Sequence, residues 1–175
     1  MHIMEKIELQ SEINQYLSQL SDGGIAYVIP IYFESNSTYF SSFSNIKEVP
    51  IFNDDSREIK FLVLNVKIKL KPLDYAIYKL FCNHAEGIIL KEIGNLKEEL
   101  HEIYLQCSPR QNPDKIWETI HELLSPTNYG SSLIQSISRI KNRFKKQIPE
   151  VVYRSYTISG CRGKAYSIPF LKTMA

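Results

Sequence analysis

The chain is 175 residues long, 43% apolar and 11% aromatic, with a formal net charge of only +2. A chain of this length buries about two-thirds of its unfolded surface, so it holds a core without disulfides or metal, and its aromatic content excludes a disordered chain. Its longest apolar runs, such as residues 25–33, fall far short of the roughly 20 residues that span a membrane. Cys82, Cys107 and Cys161 form an odd set without framework spacing, which predicts reduced thiols and a cytoplasmic protein. The first residues carry Glu5, Glu8 and Glu12 and lack the apolar stretch of a signal peptide.

In chain order, residues 5–20 predict an amphipathic helix, with Ile13, Leu17 and Leu20 on one face and Ser21-Asp22-Gly23-Gly24 as its stop. Residues 25–33 predict a strand placed at an edge by Pro30. Residues 34–45, rich in Ser, Asn and the aromatics Tyr39, Phe40 and Phe43, read as a ragged hairpin or loop, and Asn53-Asp54-Asp55-Ser56 as a turn. Residues 62–70 give the clearest strand: Leu62, Leu64, Val66, Ile68 and Leu70 alternate with Val63, Asn65, Lys67 and Lys69. Pro72 then opens a helix with Leu73, Ile77, Leu80 and Phe81 as its buried stripe, ending near His84 before Gly87. A short apolar run at 88–90 precedes a second helix at 96–107. Pro113 opens a third, with Ile116, Trp117, Ile120, Leu123 and Leu124 on one side.

The next helix is the informative one. Ser131 or Ser132 caps it, and Leu133, Ile137, Ile140 and Phe144 form a narrow apolar stripe. At 100° per residue the opposite face carries Gln135, Ser138, Arg139, Asn142, Lys145 and Lys146: donors and cations, with no acid. Pro149 closes this helix. Two short strands are expected at 153–158 and 165–169, joined by the basic, glycine-punctuated turn Ser159-Gly160-Cys161-Arg162-Gly163-Lys164. Residues 126–175 hold nine basic side chains against one acid, Glu150, a net +8, while the first 125 residues hold 12 basic and 18 acidic, a net −6. A basic end on a nearly neutral chain is the pattern of a site for a polyanion.

From residue 62 the order is strand, helix, short strand, helix, helix, basic helix, hairpin, and three stretches are distinctive: LKPLDYAIYKL at 70–80, HAEGIILKEI at 84–93, and SLIQSISRIK at 132–141 followed by YTISG at 156–160 and Tyr166. Over about 100 residues this resembles the OmpR-type winged-helix DNA-binding domain, the effector half of many response regulators. It is also similar to the C-terminal pattern of uncharacterised bacterial proteins, a likeness that implies no activity. The resemblance implies an α+β fold: a winged helix-turn-helix over residues 59–175, with residues 1–58 supplying an N-terminal helix and a small antiparallel sheet packed on it. Three departures are visible. The turn at 159–164 is about three residues longer than the family's compact Gly-x-Gly-Tyr ending, an extra helix is inserted near 113–125, and the upstream residues leave no room for a receiver domain.

The expected function is a DNA-binding regulator whose partner is double-stranded DNA. Arg139, in the position of the family's Ser-Arg pair, is the expected base reader, with Gln135, Ser138 and Asn142 donating to bases or phosphates. Arg143, Lys145 and Lys146 face backbone phosphates, and Arg162 and Lys164 reach the flanking groove from the wing. The alternative is a winged helix used as a protein-interaction or oligomerisation module, its basic face meeting an acidic partner or a second copy of the chain. No enzyme is expected: the chain lacks a Gly-x-Ser-x-Gly elbow, a phosphate-cradling glycine loop and a His-Glu-x-x-His pair. Tyr153, Tyr156 and Tyr166 read as packing rather than as nucleophiles. No metal or other cofactor is expected either, since Cys82, His84, His101 and Cys107 do not follow zinc-knuckle spacing.

Overall fold

The computed structural model describes residues 48–62, 64–109, 112–125, 132–148, 150–161 and 163–172. The helix expected at 5–20, the strand at 25–33, the aromatic segment at 34–45 and Arg162 lie outside the described residues. What is described is mixed α+β, with six helices and a small antiparallel sheet.

That sheet has three strands in sequential order: β1 (Ile51–Asn53), β2 (Glu58–Phe61) and β3 (Val66–Lys69). The turn signal after residue 53 works through its side chain, because Asn53 Oδ1 accepts the N–H of Ser56 at 3.0 Å. The single strand expected over 62–70 is corrected to a hairpin. Phe61 pairs with Val66, and Leu62, Leu64 and Asn65 lie in the turn between them. Asn65 takes a left-handed φ of 49°, which asparagine tolerates, and its N–H closes the turn on the Leu62 carbonyl at 3.1 Å. Leu62 and Leu64 prolonged the alternation through a turn, where Leu62 now stands 67% exposed. Within the sheet the alternation holds: Ile59, Phe61 and Ile68 are buried, while Lys67 and Lys69 are exposed.

Helix α1 (Pro72–Asn83) starts where the sequence puts it, with proline at its first position, where a missing N–H costs nothing. It is buried on nearly every side, through Tyr75, Ala76, Ile77, Tyr78, Leu80 and Phe81. Gly87 follows with φ 94°, and a Cβ there would stand 2.8 Å from the Tyr166 carbonyl oxygen. The chain then forms β4 (Ile88–Ile89), a 3-10 turn (Leu90–Leu96), α2 (Lys97–Cys107) and α3 (Pro113–Leu123). Asn112 caps α3 by accepting the N–H groups of Asp114 and Lys115 at 3.0 and 3.3 Å. Helix α4 (Ser132–Lys145) packs its apolar stripe on α1 and the sheet, with Phe144 4.8 Å from Tyr78 and 6.0 Å from Phe61 between ring centroids.

The strand expected at 153–158 is a second correction: residues Glu150–Tyr156 form helix α5. Val152, Tyr153 and Tyr156 fall on one helical face and are all buried, so packing overrides the β preference of valine and tyrosine. Tyr156 meets the Phe61 ring at 4.9 Å, and its carbonyl accepts the Tyr78 hydroxyl at 2.9 Å. The later expected strand shrinks to β5 (Ala165–Tyr166), which pairs antiparallel with β4. Ser159 and Ser167 exchange two backbone hydrogen bonds of 2.9 Å, closing a narrow hairpin. Gly160 is required there, since a Cβ would lie 2.6 Å from the Tyr166 ring. A last turn, α6 (Pro169–Lys172), seats Phe170 against Tyr156.

Candidate nucleic-acid interface

Helix α4 separates its residues cleanly. Leu133, Ser136, Ile137, Ile140 and Phe144 are buried, while Gln135, Ser138, Arg139, Lys141, Asn142, Arg143 and Lys145, with Lys146 just past the helix end, are exposed. The outward face therefore presents amide, hydroxyl and ammonium groups, with the lysines at the helix C-terminus, where the helix dipole also favours them.

The two arginines behave differently from their neighbours. Arg139 donates from Nε to Asp74 Oδ2 at 3.1 Å and from Nη2 to Asp74 Oδ1 at 2.8 Å. Its Nη2 also lies 2.7 Å from Ser136 Oγ. This is a bidentate guanidinium–carboxylate pair, the geometry in which arginine is most specific. Asp74 is only 4% exposed, so the pair ties the first turn of α1 to α4. The expected base reader is thus engaged on its own protein. Arg143, one helical turn on, donates from Nε to the Lys69 carbonyl at 3.2 Å. Both arginines fold along one flank of α4 onto the junction between β3 and α1. Beside Arg139 opens a shallow groove of about 420 Å³ lined by Lys71, Pro72, Leu73, Asp74, Tyr104, Ser108, Pro109 and Arg139.

Of the two wing cations, Lys164 is exposed beside Gly163, whose φ is 83°. Its N–H closes the turn on Cys161 at 3.0 Å. The structure thus brings Gln135, Ser138, Asn142, Lys145 and Lys146 to one exposed face and leaves Arg139 and Arg143 exposed along its edge, each hydrogen-bonded to the protein. Asp74 was not legible as a partner, because a lone aspartate in a first helical turn reads simply as a favourable charge near the N-terminus.

The remaining polar clusters are built for cohesion. Asp54 accepts Tyr75 Oη at 2.8 Å and Lys79 Nζ at 2.8 and 2.9 Å. Burial works to raise the Asp54 carboxyl, but these hydrogen bonds outweigh it and hold it below its ordinary range. Burial also pushes the Cys82 thiol up to about 12 and that of Cys107 to about 11, so both stay protonated and are poor nucleophiles or metal ligands. His101 stacks on Trp117 with ring centroids 4.1 Å apart. Among the described residues no three His, Cys, Asp or Glu side chains converge on a metal position, and no helix is long and apolar enough to cross a membrane. Comparison with protein-family models, with characterised proteins and with solved structures returns no match.

Proposed function

We propose that the chain is a cytoplasmic DNA-binding protein of winged-helix type, acting in transcription regulation through binding rather than catalysis. The observation that carries this is the outer face of α4: exposed donors and cations without an acid, on a helix whose other face is locked into the core. The strand before α2 pairs with the strand that follows the turn at 159–164, where the resemblance places the wing. In this reading Gln135, Ser138 and Asn142 meet base edges in the major groove, and Lys145 and Lys146 meet phosphates. Arg139 is a positioning residue, setting the pitch of α4 against α1, with Arg143 beside it. Lys164 and Arg162 supply the flanking contact.

The test is fluorescence anisotropy of a labelled random-sequence duplex at about 50 mM salt. Lys145→Glu/Lys146→Glu is expected to abolish binding and leave the far-ultraviolet dichroism unchanged. Undiminished affinity in that variant overturns the proposal. Salt-sensitive self-association without DNA binding would instead assign the face to an acidic protein surface.

A further inference from the structure

The acidic balance of the first 125 residues conceals a cationic strand that the fold delivers to the α4 flank. Lys67 and Lys69 are exposed on the outward face of β3, and Lys71 is exposed just beyond it. Lys67 stands directly across from Lys60 of β2, a like-charged cross-strand pair that destabilises the free sheet. Glu58, across from Lys69, is the acid facing this row. The row adjoins α4 at two points. Arg143 sits on the Lys69 carbonyl at 3.2 Å, and Lys71 lines the same groove as Arg139.

Resting on the DNA-binding reading, we propose that the β3–α1 junction is a second phosphate track, with Lys67, Lys69 and Lys71 binding the DNA backbone along one flank of α4. A helix about 10–12 Å wide fills a major groove of about 12 Å, so the phosphate strands run along its two flanks. Lys141 and Lys145 occupy one flank of α4, while the β3–α1 junction borders the other. Such contacts add affinity and orientation without reading sequence. A polyanion also relieves the Lys60–Lys67 repulsion. Among the described strands β3 lies at an edge, and lysine on an edge deters strand-to-strand aggregation. That role accounts for Lys67 and Lys69 but not for Lys71, which lies outside the ladder.

The experiment measures duplex affinity from about 50 to 200 mM salt and takes the slope of log affinity on log salt, about 0.9 per phosphate neutralised. Lys67→Gln/Lys69→Gln/Lys71→Gln is expected to make the slope shallower by about 2.7, and Lys71→Gln alone by about 0.9. Lys115→Gln, an exposed cation at the start of α3, is expected to leave it unchanged. A triple variant with the wild-type slope overturns the second track and leaves the α4 reading standing, and aggregation of that variant at an unchanged slope assigns the lysines to edge protection. A Lys115 effect equal to that of Lys71 reduces the result to net charge and likewise overturns it. Absence of binding by the wild type at the lowest salt overturns the DNA reading, and this inference with it.

Discussion

The two ends of α1 are tied to neighbouring helices by quite different chemistry. At its N-terminus Asp74, almost fully buried, holds Arg139 of α4 in a bidentate pair. At its C-terminus His84, in the cap, lies 2.9 Å from Glu99 of α2 and 3.0 Å from Glu86, while Asn83 donates to the same Glu99 at 2.9 Å. In the first tie hydrogen bonds to Asp74 raise the Arg139 guanidinium further above its ordinary range, whereas the second depends on a side chain that titrates near neutral pH. The helix carrying the candidate recognition face is therefore fastened through an arginine, which stays charged. The titratable tie sits at the opposite end of α1.

The comparison is broken most severely by removing what lies between the two ends. Phe144 is fully buried, wedged between Tyr78 and Phe61. Phe144→Ala is expected to cost about 3–5 kcal/mol in denaturant unfolding, from lost burial and the cavity left behind. A cost below about 1 kcal/mol would show that α4 is not anchored through this stripe. The N-terminal tie comes next, and its two halves are unequal. Arg139→Ala leaves a carboxylate buried without its partner, whereas Asp74→Asn leaves a half-exposed guanidinium, 46% accessible, that water can serve. Losing one partner of a fully buried pair costs about 3–5 kcal/mol, so with one partner in water Arg139→Ala is expected at about 2 kcal/mol, and Asp74→Asn at less. Equal costs in the two variants would remove the asymmetry. On the outer face, Asn142→Ala is expected to change stability by under about 0.5 kcal/mol while weakening a selected DNA site by about 1–3 kcal/mol.

Much of this was legible where one residue type acts alone. Pro72 and Pro113 marked helix starts, and the spacing of Leu133, Ile137, Ile140 and Phe144 set which face of α4 is buried. What escaped reading depended on partners distant in sequence. Asp74 and Arg139 are 65 residues apart, and nothing local in either announces the other. Residues 150–156 carry strand-forming valines and tyrosines, yet the pocket formed by Phe61, Phe170 and the Tyr78 hydroxyl selects a helical face. The cations of β3 were hidden by averaging. Lys67, Lys69 and Lys71 belong to a stretch whose net charge is −6, and only the hairpin pairing sets them in one exposed row on the strand whose Lys69 carbonyl meets Arg143.

The smallest effect is the one that sharpens the comparison. Burial of His84 opposes its charged form, but the hydrogen bonds to Glu99 and Glu86 outweigh it and raise the imidazole above its ordinary 6.5. The same contacts help hold Glu99 and Glu86 below the usual carboxylate range. A group whose folded-state value is raised stabilises fully below its unfolded value, and that contribution fades as pH climbs through the folded one. The tie is therefore strongest from the lowered carboxylate range up to about 6.5 and disappears on the alkaline side of the raised His84 value. Because Glu86 is largely exposed and the site is partly solvated, the gain is under about 1 kcal/mol. Thermal unfolding of the wild type and His84→Gln at about pH 5.5 and pH 8.5 should show a wild-type advantage at the lower pH that shrinks at the higher. The cost of Arg139→Ala should be the same at both. If that cost also changed with pH, the two ends of α1 would be coupled through the helix.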